Sequence, residues 1–238
     1  YESISISESQ IKNLHKILML HGDKDAWHRG NYKQVSNAVE ANLVDGTKQI
    51  VFRTAEPGLE TQDAMMQLFE WYLSDKETIP LVKAALFVYE FLSIHPFQDG
   101  NGRLSRVLTS LLLLQAGYVY VPYSSIESII ELNKEAYYLA LRQTQGAIRS
   151  DAPNWQPWTL FFLQSLAEQV RRLEKKVTRE KLLLSTLPEL SLQIVEFARE
   201  HGRVTMSASM KLTGASRNTL KQHLKNLVER PLRCSAIR

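Results

Sequence analysis

Hydrophobic and polar positions along this chain alternate mostly with helical spacing. Apolar side chains return every three or four residues, which is the pattern of a helix that buries one face. Ser7-Glu8-Ser9-Gln10 resembles a capping box before the first such segment. We expect Thr78 to cap another, which has Pro80 near its first turn. We therefore predict a mainly α-helical fold, with helices over residues 11–18, 61–73, 80–93, 103–116 and 131–145 and a long helix from residue 155 onward.

Residues 30–57 interrupt this helical pattern. Apolar residues at Val35, Val39 and Val44 are followed by the run Ile50–Phe52, and between them lies Asp45-Gly46, a pair favoured in hairpin turns. We predict two short strands that form a β-hairpin flap. An ordinary surface hairpin remains the alternative.

The last fifty residues differ from the rest in charge. From residue 187 onward there are nine basic and four acidic residues, a net charge of +5, whereas the whole chain carries +4. Helical patterns over 190–201, 205–212 and 216–228, with a Gly-containing turn before the third, are typical of a helix-turn-helix or winged-helix unit. The residues that could meet phosphates or base edges lie early in the third helix: Arg217, Asn218, Lys221 and Gln222. DNA binding, dimerisation and docking of a protein target all stay open for this unit.

The composition indicates a globular protein rather than a membrane-spanning one. Of the 238 residues, 44% are hydrophobic and 23% charged, which is ordinary for a globular protein. The longest apolar runs, such as Val107–Leu114, are interrupted by Thr and Ser and are too short to span a bilayer. The single cysteine, Cys234, precludes an internal disulfide and fits a reducing compartment. We expect a cytoplasmic protein with no membrane partner.

Most of the candidate chemistry lies in one segment, His-Pro-Phe-Gln-Asp-Gly-Asn-Gly-Arg-Leu-Ser-Arg at residues 95–106. Gly100 and Gly102 allow the backbone to approach a phosphate closely. They open an apolar helical run, so their N–H groups would lie at a helix N-terminus, where anions bind. A turn requires only the glycines, so the polar residues around them indicate phosphate chemistry rather than an ordinary loop.

These polar residues each have a separate use at a nucleoside triphosphate. Histidine takes up a proton near neutrality, which suits His95 to the role of general base. Asp99 is a hard oxygen ligand for a Mg²⁺ ion that is shared with phosphate oxygens. Arg103 and Arg106 lie three residues apart on one helical face and can bind phosphate oxygens. Together they indicate phosphoryl or nucleotidyl transfer.

The segment resembles the signature of Fic-domain proteins, which transfer AMP from ATP to protein hydroxyl groups. The family pattern is His-Pro-Phe-x-(Asp/Glu)-Gly-Asn-Gly-Arg-x-x-Arg, and residues 95–106 match every specified place. The resemblance covers roughly residues 10–170. Gly30-Asn31-Tyr32-Lys33 is similar to the family's Gly-x-(Phe/Tyr)-Arg segment, with Lys33 in place of the usual Arg, and Tyr137-Tyr138 and Trp155 also resemble family positions.

The resemblance implies a role for each residue of the signature. His95 would deprotonate a Tyr, Ser or Thr hydroxyl of the target, and Asp99 would hold Mg²⁺. Tyr138 would line the adenine pocket, and the flap would align the target by strand addition. The remaining residues would bind the phosphates of ATP, with Asn101 stabilising the charge that develops and the arginines contacting the outer phosphates: Gly100, Asn101, Gly102, Arg103 and Arg106.

These observations predict two domains and two classes of function. We expect a Fic-type helical bundle with its flap over residues 1–185 and a helix-turn-helix or winged-helix domain over 186–238. The favoured function is ATP- and Mg²⁺-dependent AMP transfer to a target protein or to the chain itself. The alternatives are another phospho-group donor, such as UMP or phosphate, and a nucleotide-sensing transcriptional regulator that binds DNA. A homodimer is a further expectation.

Many members of the family carry an autoinhibitory helix with the motif Ser/Thr-x-x-x-Glu-(Gly/Asn), whose Glu pairs with the second arginine of the signature. Ser124–Ser128 resembles this motif only superficially, because its spacing differs. The chain begins at Tyr1 rather than Met. We expect the full-length protein to carry the inhibitory helix upstream of this segment.

Overall fold

The computed structural model of the chain describes residues 4–20, 28–42, 48–148 and 152–229. These residues form two strands, β1 (Ala38–Asn42) and β2 (Lys48–Arg53). They also form ten α-helices: α1 (Glu8–Leu18), α2 (Leu59–Ser74), α3 (Pro80–Ile94), α4 (Asn101–Gln115), α5 (Ile126–Leu132), α6 (Lys134–Ile148), α7 (Gln156–Ser185), α8 (Glu189–His201), α9 (Met206–Thr213) and α10 (Arg217–Glu229). The predicted mainly helical fold is confirmed. None of the helices in these ranges is long and apolar enough to cross a bilayer.

The chain divides into two compact units, Tyr1–Arg172 and Leu173–Arg238. Helix α7 begins in the first unit and ends in the second. The assignment of residues 1–185 and 186–238 to separate domains stays a prediction, and its boundary coincides with the end of α7 rather than with the division at residue 172.

Two packed helices, α3 and α4, form the centre of the first unit. Phe87 and Phe91 of α3 are completely buried, as are Leu104 and Leu108 of α4. The indole N–H of Trp158 donates a 2.7 Å hydrogen bond to the carbonyl of Ala85, which ties α7 to α3. The loop at residues 95–100 joins α3 directly to α4, so both ends of this loop are anchored in the core.

Two predictions about helix starts were wrong. Ser7 is the N-cap of α1, but its side chain makes no capping hydrogen bond, so no capping box forms. Thr78 does not cap α3, because the helix begins one residue later than a cap at Thr78 would require; its hydroxyl and N–H donate instead to the carboxylate of Asp75, at 3.1 and 3.4 Å. The N-cap of α3 is Ile79, and Pro80 is the first helical residue, where a missing N–H costs nothing.

The helix predicted over residues 131–145 is two helices, α5 and α6, divided at Asn133. The Asn133 side chain donates a 2.8 Å hydrogen bond to the carbonyl of Ile129, and its backbone N–H lies 3.1 Å from the same oxygen. An asparagine that bonds the preceding turn in this way competes with helix propagation. Ser125 begins α5 by accepting a hydrogen bond from the N–H of Ser128 at 3.3 Å.

Strands β1 and β2 pair antiparallel, with Ala38 opposite Arg53 and Asn42 opposite Lys48. The register shifts once, between Val39 and Glu40. The predicted turn at Asp45-Gly46 lies outside the described residues. The use of this pair as a flap stays a prediction.

The second unit contains α8, α9 and α10 around a small apolar core of Ile194, Val195, Leu220 and Leu227. Thr205 begins α9 by accepting from the N–H of Ala208 at 3.2 Å. Ser216 accepts from the N–H of Thr219 at 3.3 Å, which is the hydrogen bond of a side-chain cap at the start of α10. The order of helices is the predicted one, while a helix-turn-helix or winged-helix function stays a prediction.

Candidate active site

His95 ends α3 in an unusual backbone conformation. With φ 53° and ψ 57° it is the only non-glycine residue with positive φ in the described part of the chain. Histidine tolerates this region better than most residues, although at a cost that the surroundings must offset. The 95–100 loop leaves α3 at this point, so the turn places the imidazole at the head of the loop.

The hydrogen bond and the burial of His95 define its protonation. Its Nδ1 lies 3.2 Å from the carbonyl oxygen of Leu92, so Nδ1 carries the proton that this acceptor requires and Nε2 keeps a free lone pair. Burial, with a smaller contribution from the nearby charge of Lys33, lowers the pKa of His95 to about 4. The imidazole is therefore neutral at pH 7 and able to accept a proton.

Gly100 and Gly102 lie at the start of α4 but have different roles. Gly100 is the N-cap, with φ 81°. A Cβ atom there would lie 3.1 Å from the sulfur of Met19 and 3.3 Å from Nε2 of His15, so both space and conformation require glycine. Gly102 has no positive φ, and a Cβ atom there would meet only Arg106, at 3.6 Å. Close packing therefore explains Gly100 but not Gly102.

Asn101 is buried, with 1% of its surface exposed, and it bonds the backbone of the same loop. Its Oδ1 accepts from the N–H of Phe97 at 2.9 Å, and its Nδ2 donates to the carbonyl of Phe97 at 2.7 Å. These two bonds close the loop onto the first turn of α4. The stabilisation of phosphate charge by Asn101 stays a prediction, and the bonds that its side chain makes in the structure hold the loop.

Asp99 and Arg103 are the exposed members of the signature. The Asp99 side chain is 61% exposed and that of Arg103 50%, and Asp99 Oδ2 lies 3.1 Å from Nη2 of Arg103. Arg103 Nη2 also lies 3.3 Å from the sulfur of Met19. An exposed ion pair of this kind contributes little to stability, so both groups can exchange partners at little cost.

The donor set around Asp99 fits a Mg²⁺ ion that substrate phosphates would share. No group of three or more His, Cys, Asp or Glu side chains converges anywhere in the described ranges. Mg²⁺ at nucleotide sites is commonly held by one or two carboxylates, with phosphate and water oxygens completing the octahedron. The single carboxylate of Asp99, open to solvent beside the glycine turn, meets that requirement.

Arg106 lies deeper and has a different partner. Its guanidinium forms an ion pair with the carboxylate of Glu127 in α5. The Arg106 side chain is 22% exposed and that of Glu127 58%. Contact between Arg106 and an outer phosphate therefore competes with this pair. Sequence reasoning missed Glu127, although the superficial motif at Ser124–Ser128 contains it.

A second histidine, His15 of α1, holds the 95–100 loop through a hydrogen bond and ring stacking. Sequence reasoning did not identify it. Its Nδ1 accepts from the N–H of Gly30 at 2.9 Å, so Nε2 carries the proton and donates to the carbonyl of Asp99 at 3.0 Å. The ring stacks on Phe97, with centroids 3.9 Å apart and planes 8° from parallel. His15 is 1% exposed, and burial lowers its pKa, so the neutral form fits these bonds. Its isolated position in the helical pattern of α1 gave no signal.

Lys33 is buried near His95, with 2% of its surface exposed. Its Nζ donates to the carbonyl of Ile94, the last residue of α3, at 3.0 Å, and its backbone N–H donates to the carbonyl of Pro96 at 2.8 Å. Burial lowers the pKa of Lys33 to about 8. Sequence comparison singled out Lys33 as a departure from arginine, but its burial and contacts could not be predicted.

Tyr138, predicted to line the adenine pocket, lies on α6 beside buried Tyr137, with ring centroids 5.2 Å apart. It packs against the main core as a partly buried residue. A cavity of about 480 Å³ lies elsewhere, and it contains none of the predicted site residues. Its lining comes from α2, α3 and the start of α7: Ala64, Gln67, Leu68, Trp71, Leu86, Glu90, Ile94 and Trp155. The adenine pocket stays a prediction.

Comparison with known proteins agrees with this geometry. The pattern of the Fic/DOC family matches residues 5–113, which include α1, the strand pair, α3 and most of α4. A Fido domain-containing protein of Dictyostelium discoideum is 37% identical over 78 residues, covering 32% of this chain and 54% of that protein. A protein adenylyltransferase Fic of Drosophila grimshawi is 32% identical over 120 residues, covering 49% of this chain and 22% of that protein. The chain thus spans about half of the first relative and about a fifth of the second.

Two crystal structures share the fold. A Fic family protein of Desulfovibrio desulfuricans superimposes with a TM-score of 0.58 at 24% identity, over 94% of this chain and 62% of that one. A Fic domain containing signaling protein of Bacteroides thetaiotaomicron gives a TM-score of 0.53 at 27% identity, over 73% of this chain and 65% of that one. The predicted Fic-type helical fold is confirmed by these similarities.

Proposed function

We propose that this chain, which belongs to the Fic/DOC family through residues 5–113, is a protein adenylyltransferase. It would transfer AMP from ATP to a Tyr, Ser or Thr hydroxyl of a target protein or of the chain itself. The observation that carries the proposal is the state of His95. A neutral imidazole, with Nδ1 bonded to Leu92 and Nε2 free, lies beside a glycine turn that opens a helix.

The reaction that these residues support is a single displacement at the α-phosphorus. Nε2 of His95 accepts the proton of the target hydroxyl, and the hydroxyl oxygen forms a bond to the α-phosphorus as the bond to the bridging oxygen of pyrophosphate breaks. AMP ends on the target and pyrophosphate leaves. The depressed pKa of His95 keeps the base unprotonated before the hydroxyl arrives.

Binding of the triphosphate would use the start of α4. The first N–H groups of a helix point outward and bind anions, and Gly100 forms the left-handed turn that opens α4. Arg103 exchanges its exposed pair with Asp99 for phosphate oxygens at little cost, whereas Arg106 must leave Glu127. Asp99 would hold Mg²⁺, which neutralises phosphate charge when it is bound.

The proposal is tested with ATP labelled at either the α- or the γ-phosphate, incubated with the chain, Mg²⁺ and a cell extract. Covalent label from the α-position alone is expected, and it should disappear in His95→Ala while affinity for ATP is retained. The matched control is His201→Ala, because His201 is exposed in the second unit. Transfer of γ-label would instead identify a kinase, and α-label of equal intensity in His95→Ala would exclude His95 as the base.

A regulator that binds DNA through the second unit is the other candidate. One observation favours it: Arg217, Asn218, Lys221 and Gln222 are all exposed in the first half of α10. Basic and amide side chains in such a position can contact phosphates and base edges. Retardation of duplex DNA at low salt by the whole chain, lost in Arg217→Ala/Lys221→Ala, would support this function, and no retardation at low salt would remove it.

A further inference from the structure

Three polar side chains meet where the two strands join the body of the first unit. Asn37 directly precedes β1, Thr54 directly follows β2, and Lys33 lies between them and α3. We call Lys33, Asn37 and Thr54 the strand-base cluster. The Thr54 hydroxyl donates to the backbone carbonyl of Asn37 at 2.5 Å, so the two ends of the strand pair are bonded to each other.

Lys33 connects this junction to the end of α3. An ammonium group has three hydrogens, and Lys33 Nζ uses them on Asn37 Oδ1 at 2.9 Å, Thr54 Oγ1 at 3.1 Å and the carbonyl of Ile94 at 3.0 Å. Because the amine is buried, each missing partner would leave a charged donor unsatisfied. The carbonyl of Ile94 belongs to the residue before His95, so the ammonium also neutralises the negative end of the α3 dipole there.

Asn37 connects the same junction to the other side of His95. Its Nδ2 donates to the carbonyl of Phe97 at 2.9 Å, the oxygen that also accepts from Asn101. The backbone N–H of Lys33 donates to the carbonyl of Pro96 at 2.8 Å. The carbonyls of residues 94, 96 and 97 are thus all bound by residues 33 and 37, and His95 lies within this stretch.

We propose that the strand-base cluster positions His95 relative to the β1–β2 pair. This inference rests on the proposed function and deepens it. The bonds that tie the ends of the strand pair to each other also tie them to the stretch that contains the left-handed turn at His95, so a target segment that adds to the strand pair would meet His95 at a fixed position. Lys33, Asn37 and Thr54 are positioning residues, because they touch the backbone of the base and of the strands but none of the reacting atoms.

The alternative is that the cluster only stabilises the fold. The polar set is costly for that purpose, because a buried ammonium with its partners is often no more stabilising than apolar residues of similar volume. The bonds also converge on the strand ends and on the stretch around His95, rather than spreading through the α3–α4 core. A positioning role predicts a loss in the transfer step itself, with nucleotide binding retained.

The sharpest variants are Thr54→Val and Thr54→Ser. Valine keeps the shape of threonine but has no hydroxyl, and it removes the acceptor of Lys33 and the donor to Asn37 together. Serine keeps the hydroxyl and serves as the matched control. Lys33→Met and Lys33→Arg form a second pair, in which only arginine keeps a charged donor. Thermal unfolding of all four variants identifies any that fail to fold.

The transfer rate is expected to fall while the nucleotide affinity is retained. The rate of self-labelling from α-labelled ATP should fall about tenfold or more in Thr54→Val and Lys33→Met, because each variant removes at least two of the buried hydrogen bonds that hold the stretch around His95. Affinity for α,β-methylene ATP with Mg²⁺ should stay within about twofold, because the start of α4 is untouched. Thr54→Ser should recover most of the rate. Equal rates in the serine and valine variants, or a loss explained by nucleotide affinity alone, would overturn the proposal.

Amide hydrogen exchange tests the cluster even if the chain transfers no AMP. The N–H groups of Lys33 and Phe97 are bonded to Pro96 and Asn101, and both should exchange about tenfold faster in Thr54→Val. The N–H of Leu104, bonded to Gly100 within α4, is the internal control and should not change. Unchanged exchange at residues 33 and 97 would refute the positioning role, whereas absence of α-label in the wild type would refute only the proposed function.

Discussion

Replacement of Asn101 by leucine separates a structural role from a role at the phosphates. The side chain is buried and forms two hydrogen bonds to the backbone of Phe97. Leucine is of similar size but can form neither bond. If Asn101 served only to stabilise charge on bound ATP, the change would leave the stability of the unliganded protein unaltered.

The expected loss of stability in Asn101→Leu follows from the groups that lose a hydrogen-bond partner. The N–H of Phe97 loses its acceptor in a residue that is completely buried, which costs about 1–3 kcal/mol. The carbonyl of Phe97 keeps the bond from Asn37, so loss of its second bond costs only about 0.5–1.5 kcal/mol. We expect Asn101→Leu to lower the free energy of unfolding by about 2–4 kcal/mol.

Urea unfolding followed by tryptophan fluorescence measures this value in the first unit alone, because all four tryptophans precede residue 172. Arg103→Ala is the matched control, since Arg103 also belongs to the signature but is exposed; it should change stability by less than about 0.5 kcal/mol. An unfolding free energy for Asn101→Leu within about 0.5 kcal/mol of the wild type would refute the reasoning.

Three further predictions concern protonation, the Arg106 pair and the second unit. The acid limb of the kcat/KM profile should lie near the pKa of about 4 given for His95. Stability should fall from pH 6.5 toward pH 4, because the unfolded chain binds a proton that the folded His95 excludes. An acid limb of the kcat/KM profile at pH 6.5 would contradict the lowered pKa of His95. Glu127→Gln should release Arg106 and tighten ATP binding several-fold by calorimetry, with exposed Glu131→Gln as control; unchanged affinity would mean that the pair does not compete. Deletion after Pro188 should leave self-labelling intact, and loss of label on a gel would give the second unit a part in the reaction.

The fold could be predicted where a local pattern determines it. The apolar runs of α3 and α4 predicted two buried helices, and the segment between them predicted the position of His95 at a helix end. The failures have local causes that depend on side-chain geometry. Thr78 has the right residue type for an N-cap, but Pro80 is the first helical residue, so the cap position falls on Ile79. Asn133 divides a continuous helical pattern because its amide bonds the preceding turn.

The site was predictable only for groups that lie together in the chain. Residues 95–106 are contiguous, so residue type and spacing indicated their chemistry. His15, Lys33 and Glu127 meet this segment from 80, 62 and 21 positions away along the chain, and nothing in their own neighbourhoods indicates these contacts. These three residues supply the surroundings of the signature. Burial and the nearby charge of Lys33 lower the pKa of His95. His15 donates a hydrogen bond to the carbonyl of Asp99, and Glu127 forms an ion pair with Arg106. The signature therefore predicts which groups react, while the fold supplies the partners that govern their protonation and availability.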